Sequence, residues 1–530
     1  MPAIDYNLPY PSRRSPVLAK NIVATSQPLA AQAGLRMLLA GGNAVDASLA
    51  AAIALTVVEP TANGVGSDAF AILWDGRELH GLNASGRSPA AWQRSRFEGL
   101  SAMPARGWDS VTVPGAVSAW AALSRRFGKL PFARLFEPVI AYARDGFPVS
   151  PVIAATWDRT ADRYRGQPGW NEAFQPGGRS PKAGEIFVNR PLAATLEAIA
   201  ESEGKAFYEG RLAEAMVQHA ASCGGGLSLD DLAAHQVEWC GTIAQDFGDA
   251  TAHEIPPNSQ GIATLIAASI LSRLHIERYP VDSPEALHLQ IEAMKLAFAD
   301  TAAFVADAAA MKVDPQSLLR DDYLSERARL IDPGRAGDPG AGAPRAGGTV
   351  YLCAADAGGM MVSYIQSNYE GFGSGVVVPG TGISLQNRGF GFVLERGHPN
   401  EVGPRKRPFH TIIPGFVMRQ GQPAMSFGVM GGPMQAQGHL QLLVRTQLYG
   451  QNPQAASDAP RWRVIEGRRI SLESGMPESV ARGLAERGHI VQREAPEASF
   501  VFGGAQLIAR IDGGYVAGSD HRKDGCAVGF

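Results

Sequence analysis

A Gly347-Gly348-Thr349 triplet stands where a long Gly/Pro-rich connection gives way to an alternating apolar run. If the Gly348–Thr349 bond were cut, Thr349 would carry a free α-amine beside its own hydroxyl. An α-amine has an ordinary pKa of about 7.7–8.0, so near neutral pH it can serve as general base for that hydroxyl. The same hydroxyl can make the cut by attacking the Gly348 carbonyl, and a glycine before the bond tolerates the strained geometry this needs. Taken alone, a threonine opening a strand is an ordinary β-former. Other reactive patterns are missing. The chain has no HExxH zinc motif and no GxSxG nucleophile elbow. The stretch Gly64-Val65-Gly66-Ser67-Asp68-Ala69 resembles a dinucleotide fingerprint, but it follows a helical pattern and precedes a strand. That context is wrong for a nucleotide site and right for a tight glycine loop.

The elements that must position Thr349 follow from periodicity. Pro333 to Gly348 is Gly, Pro and Ala with few apolar anchors, the composition of a flexible surface connection. Behind it come a strand from Thr349 to Ala355, a turn over Asp356 to Gly359, and a strand from Met360 to Gln366. Near the start, Leu29 to Ala40 has helical spacing and stops at Gly41-Gly42. Asn43 then caps an alanine-rich helix, Ala44 to Val58, that ends before Pro60. Phe70 to Trp74 and Leu79 to Leu82 flank Asp75-Gly76 as a hairpin. Ala116 to Ala306 reads as mostly helical, including a long stretch from Ala286 in which Leu287, Ile291, Met294 and Phe298 recur three and four apart. The remainder to Phe530 mixes strands with a few helices, and no repeat has a fixed period. Helices layered on sheets are expected.

Composition sets outer bounds. The chain has 530 residues, 45% hydrophobic and 19% charged, enough for two to four domains or one large layered one. Its formal net charge is −3, which gives no support to a nucleic-acid partner; Arg405-Lys406-Arg407 is a short solvated run. The four cysteines, Cys223, Cys240, Cys353 and Cys526, lack metal-ligand spacing and read as reduced thiols of a cytosolic protein. Met1 to Asn21 shows no apolar signal core, and Ala44 to Val58, which contains Asp46 and Ser48, is too short to span a bilayer comfortably. A soluble, cytoplasmic protein with no membrane partner is expected.

A series of motifs changes the weight on Thr349. Gly41-Gly42-Asn43-Ala44-Val45-Asp46-Ala47, Val58-Glu59-Pro60 and Gly64-Val65-Gly66-Ser67-Asp68-Ala69-Phe70 come first. Val113-Pro114-Gly115, Phe127 to Pro131, Ala143 to Val149, Ala206 to Gly210, Pro256 to Gly261 and Gly431-Gly432 follow. In this order they resemble the γ-glutamyltransferase family over nearly the whole chain. The resemblance implies an α+β fold, the four-layer αββα sandwich of N-terminal-nucleophile hydrolases. It implies a proenzyme cut into a large subunit, Met1–Gly348, and a small one, Thr349–Phe530, with Thr349 as nucleophile. Ser367 falls where the family has a threonine that hydrogen-bonds the nucleophile. Gly431 and Gly432 match the pair whose N–H groups form the oxyanion hole. No metal and no organic cofactor is implied.

The chain also departs from the family pattern. The positions expected to hold the donor's α-ammonium group fall at Tyr369 and Phe390, and the serine pair that helps hold its carboxylate reads His410-Thr411. The carboxylate arginine falls among Arg87, Arg94 and Arg96; Arg87, nearest a family-like motif, is the choice. An ammonium group without a partner is costly to bury. The segment Ile365 to Gly375, with Leu385-Gln386-Asn387-Arg388-Gly389, is similar to a divergent branch of glutathione-hydrolase-like proteins and oxamate amidohydrolases. In such a pocket Arg87, His410 or Arg388 would hold the acid of a small carboxylate-bearing amide.

The resulting expectation is an autoprocessed amidohydrolase working through an acyl-Thr349 intermediate on γ-glutamyl amides such as glutathione. The same-fold alternative is an oxamate-type or glutaryl-type amide, and the alternative of another class is an unprocessed binding protein. Pairing of the two subunits is expected, and the processed heterodimer is a candidate to form a homo-oligomer.

Overall fold

The computed structural model of the chain describes residues 13–339 and 348–530. The segment expected to hold the cleavage linker, Pro333–Gly348, is therefore described only to residue 339 and again at Gly348; residues 340–347 lie outside the described residues, as do the first twelve of Met1–Asn21.

Two seven-stranded sheets dominate. The first runs, by neighbour, Cys526–Gly529, Ile22–Thr25, Gly348–Ala355, Met361–Tyr369, Asp68–Trp74, Leu79–Asn83 and Glu238–Trp239. The second runs Val17–Ala19, Gly514–Ser519, Gly504–Ile511, Gln422–Met430, Gly415–Arg419, Ala250–Glu254 and Ile243–Phe247. Strand alternation divides the core into three bodies. Ile22, Phe70, Ile72, Tyr351, Cys353 and Ile365 of the first sheet meet Phe416, Met418, Ile508 and Tyr515 of the second between the sheets. Val350, Leu352 and Ala354 point the other way, into the helices Pro28–Leu39 and Ala44–Val58. The far face of the second sheet is covered by Gly261–Ser272, Pro284–Phe304 and Met434–Leu443. The arrangement is an αββα sandwich of α+β class.

The helix Ala44–Val58 is buried at every position, which explains its alanine content: small side chains let the sheet and neighbouring helices approach closely. Asn43 caps it, its Oδ1 accepting from Val45 N and Asp46 N at 3.1 Å, while Asp46 Oδ2 accepts from Asn43 N at 2.9 Å. The hairpin is present as Asp68–Trp74 and Leu79–Asn83. The glycine loop behaves as a packing seam. A Cβ on Gly66 would stand 2.4 Å from the Ser384 carbonyl oxygen, and Gly66 exchanges backbone bonds with Ser384 and Gln386.

Two expectations need correction. The stretch from Ala116 to Ala306 is interrupted by Glu238–Trp239, Ile243–Phe247 and Ala250–Glu254. Glu238–Trp239 and Ile243–Phe247 are sheet edges and Ala250–Glu254 lies one strand in; all three are short and carry polar residues such as Gln245, Asp246 and Thr251, so their apolar signal is thin. The described part of the linker is also anchored: Ala336 N donates to Arg487 O at 2.7 Å, Gly337 N to Glu292 Oε2 at 2.9 Å, and Lys295 Nζ to Gly337 O at 3.0 Å. Both sheets draw strands from either side of residue 348, so the two segments interleave and do not fold as separate bodies.

Candidate active site

Thr349 is the second residue of Gly348–Ala355 and is fully buried in the intact chain. It shares parity with Tyr351 and Cys353, which face the space between the sheets. Its Oγ1 donates to Ser367 Oγ at 3.1 Å and accepts from Gln435 Nε2 at 3.2 Å. Ser367 Oγ accepts in turn from Tyr369 N at 2.8 Å. The hydroxyl is thus gripped by the neighbouring strand of its own sheet and by the helix Met434–Leu443. Ser367 stands opposite Asp68 in the next strand pair, so Thr349, Ser367 and Asp68 come from three adjacent strands.

Gly431 and Gly432 link Gln422–Met430 to that helix, with φ of 127° and 61°. Both values lie where a side chain would be strained, which is the local reason for glycine here. The pair precedes a helix N-terminus, where backbone dipoles favour negative charge. Gln260 fixes the pair's place, its Nε2 donating to Gly432 O at 2.9 Å and to Thr411 O at 2.5 Å.

Next to this grip lies a buried charge system. His410 Nε2 donates to Asp68 Oδ2 at 3.0 Å, and Ile412 N donates to His410 Nδ1 at 3.4 Å. Both ring nitrogens are therefore occupied, and burial, reinforced by Arg388 and Arg407, holds the ring well below its usual pKa and neutral. Asp68 Oδ1 accepts from Gly86 N at 3.2 Å and Gly115 N at 3.1 Å. Burial pushes the Asp68 carboxyl up to about 7, against the pull of Arg388 and the two amides. Arg388 is 1% exposed. Its Nη1 donates to Thr411 Oγ1 at 2.9 Å and its guanidinium lies 4.6 Å from the centre of the Tyr369 ring. Its Nε and Nη2 have no hydrogen-bond partner among the described residues. Burial pushes its pKa down to about 10, so it stays cationic at neutral pH.

The remaining candidates divide sharply. Tyr369 sits opposite Gly348 in the strand register, with φ of 79°, a costly value for a residue with a side chain. Tyr369 and Phe390 line a cavity of about 270 Å³ with Met103, Phe392 and Phe409. Gln386 and Asn387 serve the scaffold. Gln386 Nε2 donates to Thr112 Oγ1 at 2.6 Å, and Asn387 Oδ1 accepts from Glu370 N at 3.1 Å. Arg87 is not brought to Thr349: its side chain is 45% exposed, paired with Asp307 at 2.8 Å, and lines another cavity with His235 and Arg407. Arg96 is paired with Asp109, and Arg94 donates to Leu394 O at 2.9 Å. His410, expected to touch substrate, is instead consumed by Asp68. Asp68, Gln260 and Gln435 were not foreseen as site residues, although Asp68 and Gln260 lie inside motifs that were. Such lone polar residues carry no spacing signal.

Comparison with known proteins agrees with this geometry. The gamma-glutamyltranspeptidase family model matches residues 30–530. The glutathione hydrolase-like YwrD proenzyme of Bacillus subtilis is 36% identical over 98% of this chain and 100% of its own length. The oxamate amidohydrolase proenzyme of Klebsiella pneumoniae is 35% identical over 95% of this chain and 97% of its own. Among solved structures, cephalosporin acylase from Bacillus halodurans superimposes with a TM-score of 0.94 at 46% identity, covering 99% of each chain.

Proposed function

The chain belongs to the gamma-glutamyltranspeptidase family of N-terminal-nucleophile hydrolases, and on that footing we propose that it cuts itself between Gly348 and Thr349 and then hydrolyses amides through Thr349. The observation that carries the reading is the hydroxyl of Thr349, held between Ser367 and Gln435 at the start of a central strand. After the cut, the new α-amine takes the proton from Oγ1 as Oγ1 attacks the substrate carbonyl. The Gly431 and Gly432 N–H groups receive the developing oxyanion; such a donor contributes roughly 3–4 kcal/mol when correctly aimed. The C–N bond breaks, the α-ammonium returns its proton to the leaving amine, and an acyl-Thr349 ester remains. Water then attacks the ester with the same amine as base, releasing the acid.

γ-Glutamyl amides such as glutathione are the first donor class to test, after the relatives named glutathione hydrolase, and oxamate-type or glutaryl-type amides are the second. Cytoplasmic location is supported by four unpaired cysteines, Cys223 among them exposed. The working unit is a heterodimer of the two fragments, with further pairing of heterodimers open to direct test by light scattering. The experiment that tests the proposal is intact mass under denaturing conditions. Two fragments meeting at Gly348/Thr349 support it, and a single 56.1 kDa species without amidase activity refutes it.

A further inference from the structure

We infer that Arg388 is the receptor for a carboxylate on the acyl part of the substrate, and that the preferred acyl group carries this carboxylate without an α-ammonium group. The inference rests on Thr349 as nucleophile and names the substrate class of that site. Its ground is the state of the guanidinium. Arg388 is buried, one nitrogen is committed to Thr411 Oγ1, and Nε and Nη2 have no hydrogen-bond partner among the described residues. Unsatisfied buried N–H groups on a charged guanidinium are expensive, and a ligand that accepts from them removes that cost. Nε and Nη2 form one edge of the planar guanidinium, the edge that grips a carboxylate through two parallel N–H···O bonds.

The position of Arg388 ties this edge to the chemistry. The guanidinium stacks on Tyr369, which stands opposite Gly348 at the scissile end of the nucleophile strand. Thr411 is fastened through Gln260 to Gly432. The receptor, the strand bearing Thr349 and the glycine pair are therefore one connected unit.

The exclusion of an ammonium group follows from the carboxylates nearby. Asp68 accepts from Gly86 N, Gly115 N and His410, and Glu370 is paired with Arg106 at 2.9 Å. Asp68 is taken by these three donors and Glu370 shares its charge with Arg106, so an α-ammonium finds no carboxylate of its own among them, and a second cation beside Arg388 is repelled in a poorly screened interior. A γ-glutamyl donor satisfies the arginine but strands its ammonium; an oxalyl, succinyl or glutaryl donor satisfies the arginine alone.

The test uses the processed enzyme and p-nitroanilides. Glutaryl and γ-glutamyl p-nitroanilide differ only by the α-amino group, and the oxalyl and succinyl homologues read the length. The best ω-carboxyl anilide should exceed γ-glutamyl p-nitroanilide by at least about tenfold in kcat/KM. In Arg388→Met, the loss on that substrate should exceed the loss on its methyl ester by about 100-fold, the scale of two charge-assisted hydrogen bonds. Arg388→Lys should recover part of it. A wild-type preference for the γ-glutamyl compound, or equal losses on acid and ester, would overturn the inference. If the cleaved enzyme turns over no anilide, the proposed function is at fault. Calorimetric titration with succinate and glutarate then decides the present point: binding lost in Arg388→Met supports it, and no binding to the wild type overturns it. Cleavage of each variant into two fragments reports that it has folded.

Discussion

Arg388 and the pair Arg461/Arg522 are all buried guanidinium groups, but they have been treated in opposite ways. Arg522 donates to both oxygens of Glu473, at 2.7 and 2.6 Å, to Asp520 Oδ1 at 3.1 Å, and to the carbonyls of Ser457 and Ala459 at 2.9 Å. Arg461 reaches Asp520 Oδ2 at 2.7 Å and the carbonyls of Phe502 and Ser457. Burial alone would raise the Asp520 carboxyl, yet Arg461 and Arg522 overcome it and hold it well below the usual range; Arg522 is raised in return. Burial lowers both Arg388 and Arg461, so the contrast lies in the partners each guanidinium meets. Arg461 and Arg522 each meet a carboxylate and backbone carbonyls. The Arg388 guanidinium donates only to the Thr411 hydroxyl, and its Nε–Nη2 edge is left open among the described residues.

The largest expected effect removes the chemistry and leaves both charge systems intact. Thr349→Ala should remain a single 56.1 kDa chain and lose at least about 10⁴-fold in amidase activity, as nucleophile deletions do. Cleavage or turnover surviving that change would place the nucleophile elsewhere. This uncut background then suits urea unfolding, since it remains one chain. Within it, Asp520→Ala should cost about 3–5 kcal/mol, because two buried arginines lose their shared carboxylate. A cost below about 1 kcal/mol would mean the cluster is not the clamp its geometry implies.

The two systems should also respond to pH with opposite sign. Asp520, lowered in the folded state, contributes stability above the unfolded carboxylate pKa of about 3.9 and loses it as pH falls below. Asp68, raised to about 7, opposes folding when charged, so its contribution improves as pH falls from 7 toward 4. Unfolding free energies of the uncut background, with and without Asp68→Asn, should converge or cross in that direction between pH 8 and 5. A constant difference would show that Asp68 keeps an ordinary pKa.

How much of this was legible in sequence depends on whether the signal was local. Asn43 as cap and Ala44–Val58 as helix were readable from one turn of chain, and the hairpin from Asp75-Gly76. Thr349 at a strand start and the glycine seam at Gly64–Ser67 were readable for the same reason. The strands between Glu238 and Glu254 were not, because each is short and carries polar residues such as Gln245, Asp246, Thr251 and His253 that thin the apolar signal. The choice of Arg87 shows the other failure. The motif around it matters through Gly86, whose amide reaches Asp68, while the Arg87 side chain turns out to Asp307. His410 meets Asp68 across 342 residues, and no local pattern reports such a contact. That Arg388 has two open N–H groups is a property of packing and has no sequence signature at all.

Smaller effects sharpen the contrast at the site. Ser367→Ala removes one neutral hydrogen bond to Thr349 and should slow kcat by about tenfold, the equivalent of roughly 1.4 kcal/mol, with KM little changed. A loss beyond about 10³-fold would mean Ser367 takes a direct part in proton movement.

The smallest stability change is expected at Arg388, and it is the one that most tests the comparison. If its open edge awaits a ligand, the folded protein gains little from the charge, and removing it relieves a burial cost. Arg388→Met keeps the volume of the stem, keeps contact with the Tyr369 ring, and forfeits one bond to Thr411 Oγ1. These terms oppose each other, so unfolding of the uncut background should shift by no more than about 1 kcal/mol, or toward greater stability. The same substitution at Arg461 should cost several times as much, because Asp520 Oδ2 loses its guanidinium partner and the Phe502 carbonyl its side-chain donor, leaving Arg522 to hold the Asp520 carboxylate and the Ser457 carbonyl without it. Equal costs at the two arginines would mean that Arg388 is as structural as Arg461, and that its open edge is filled by something other than substrate.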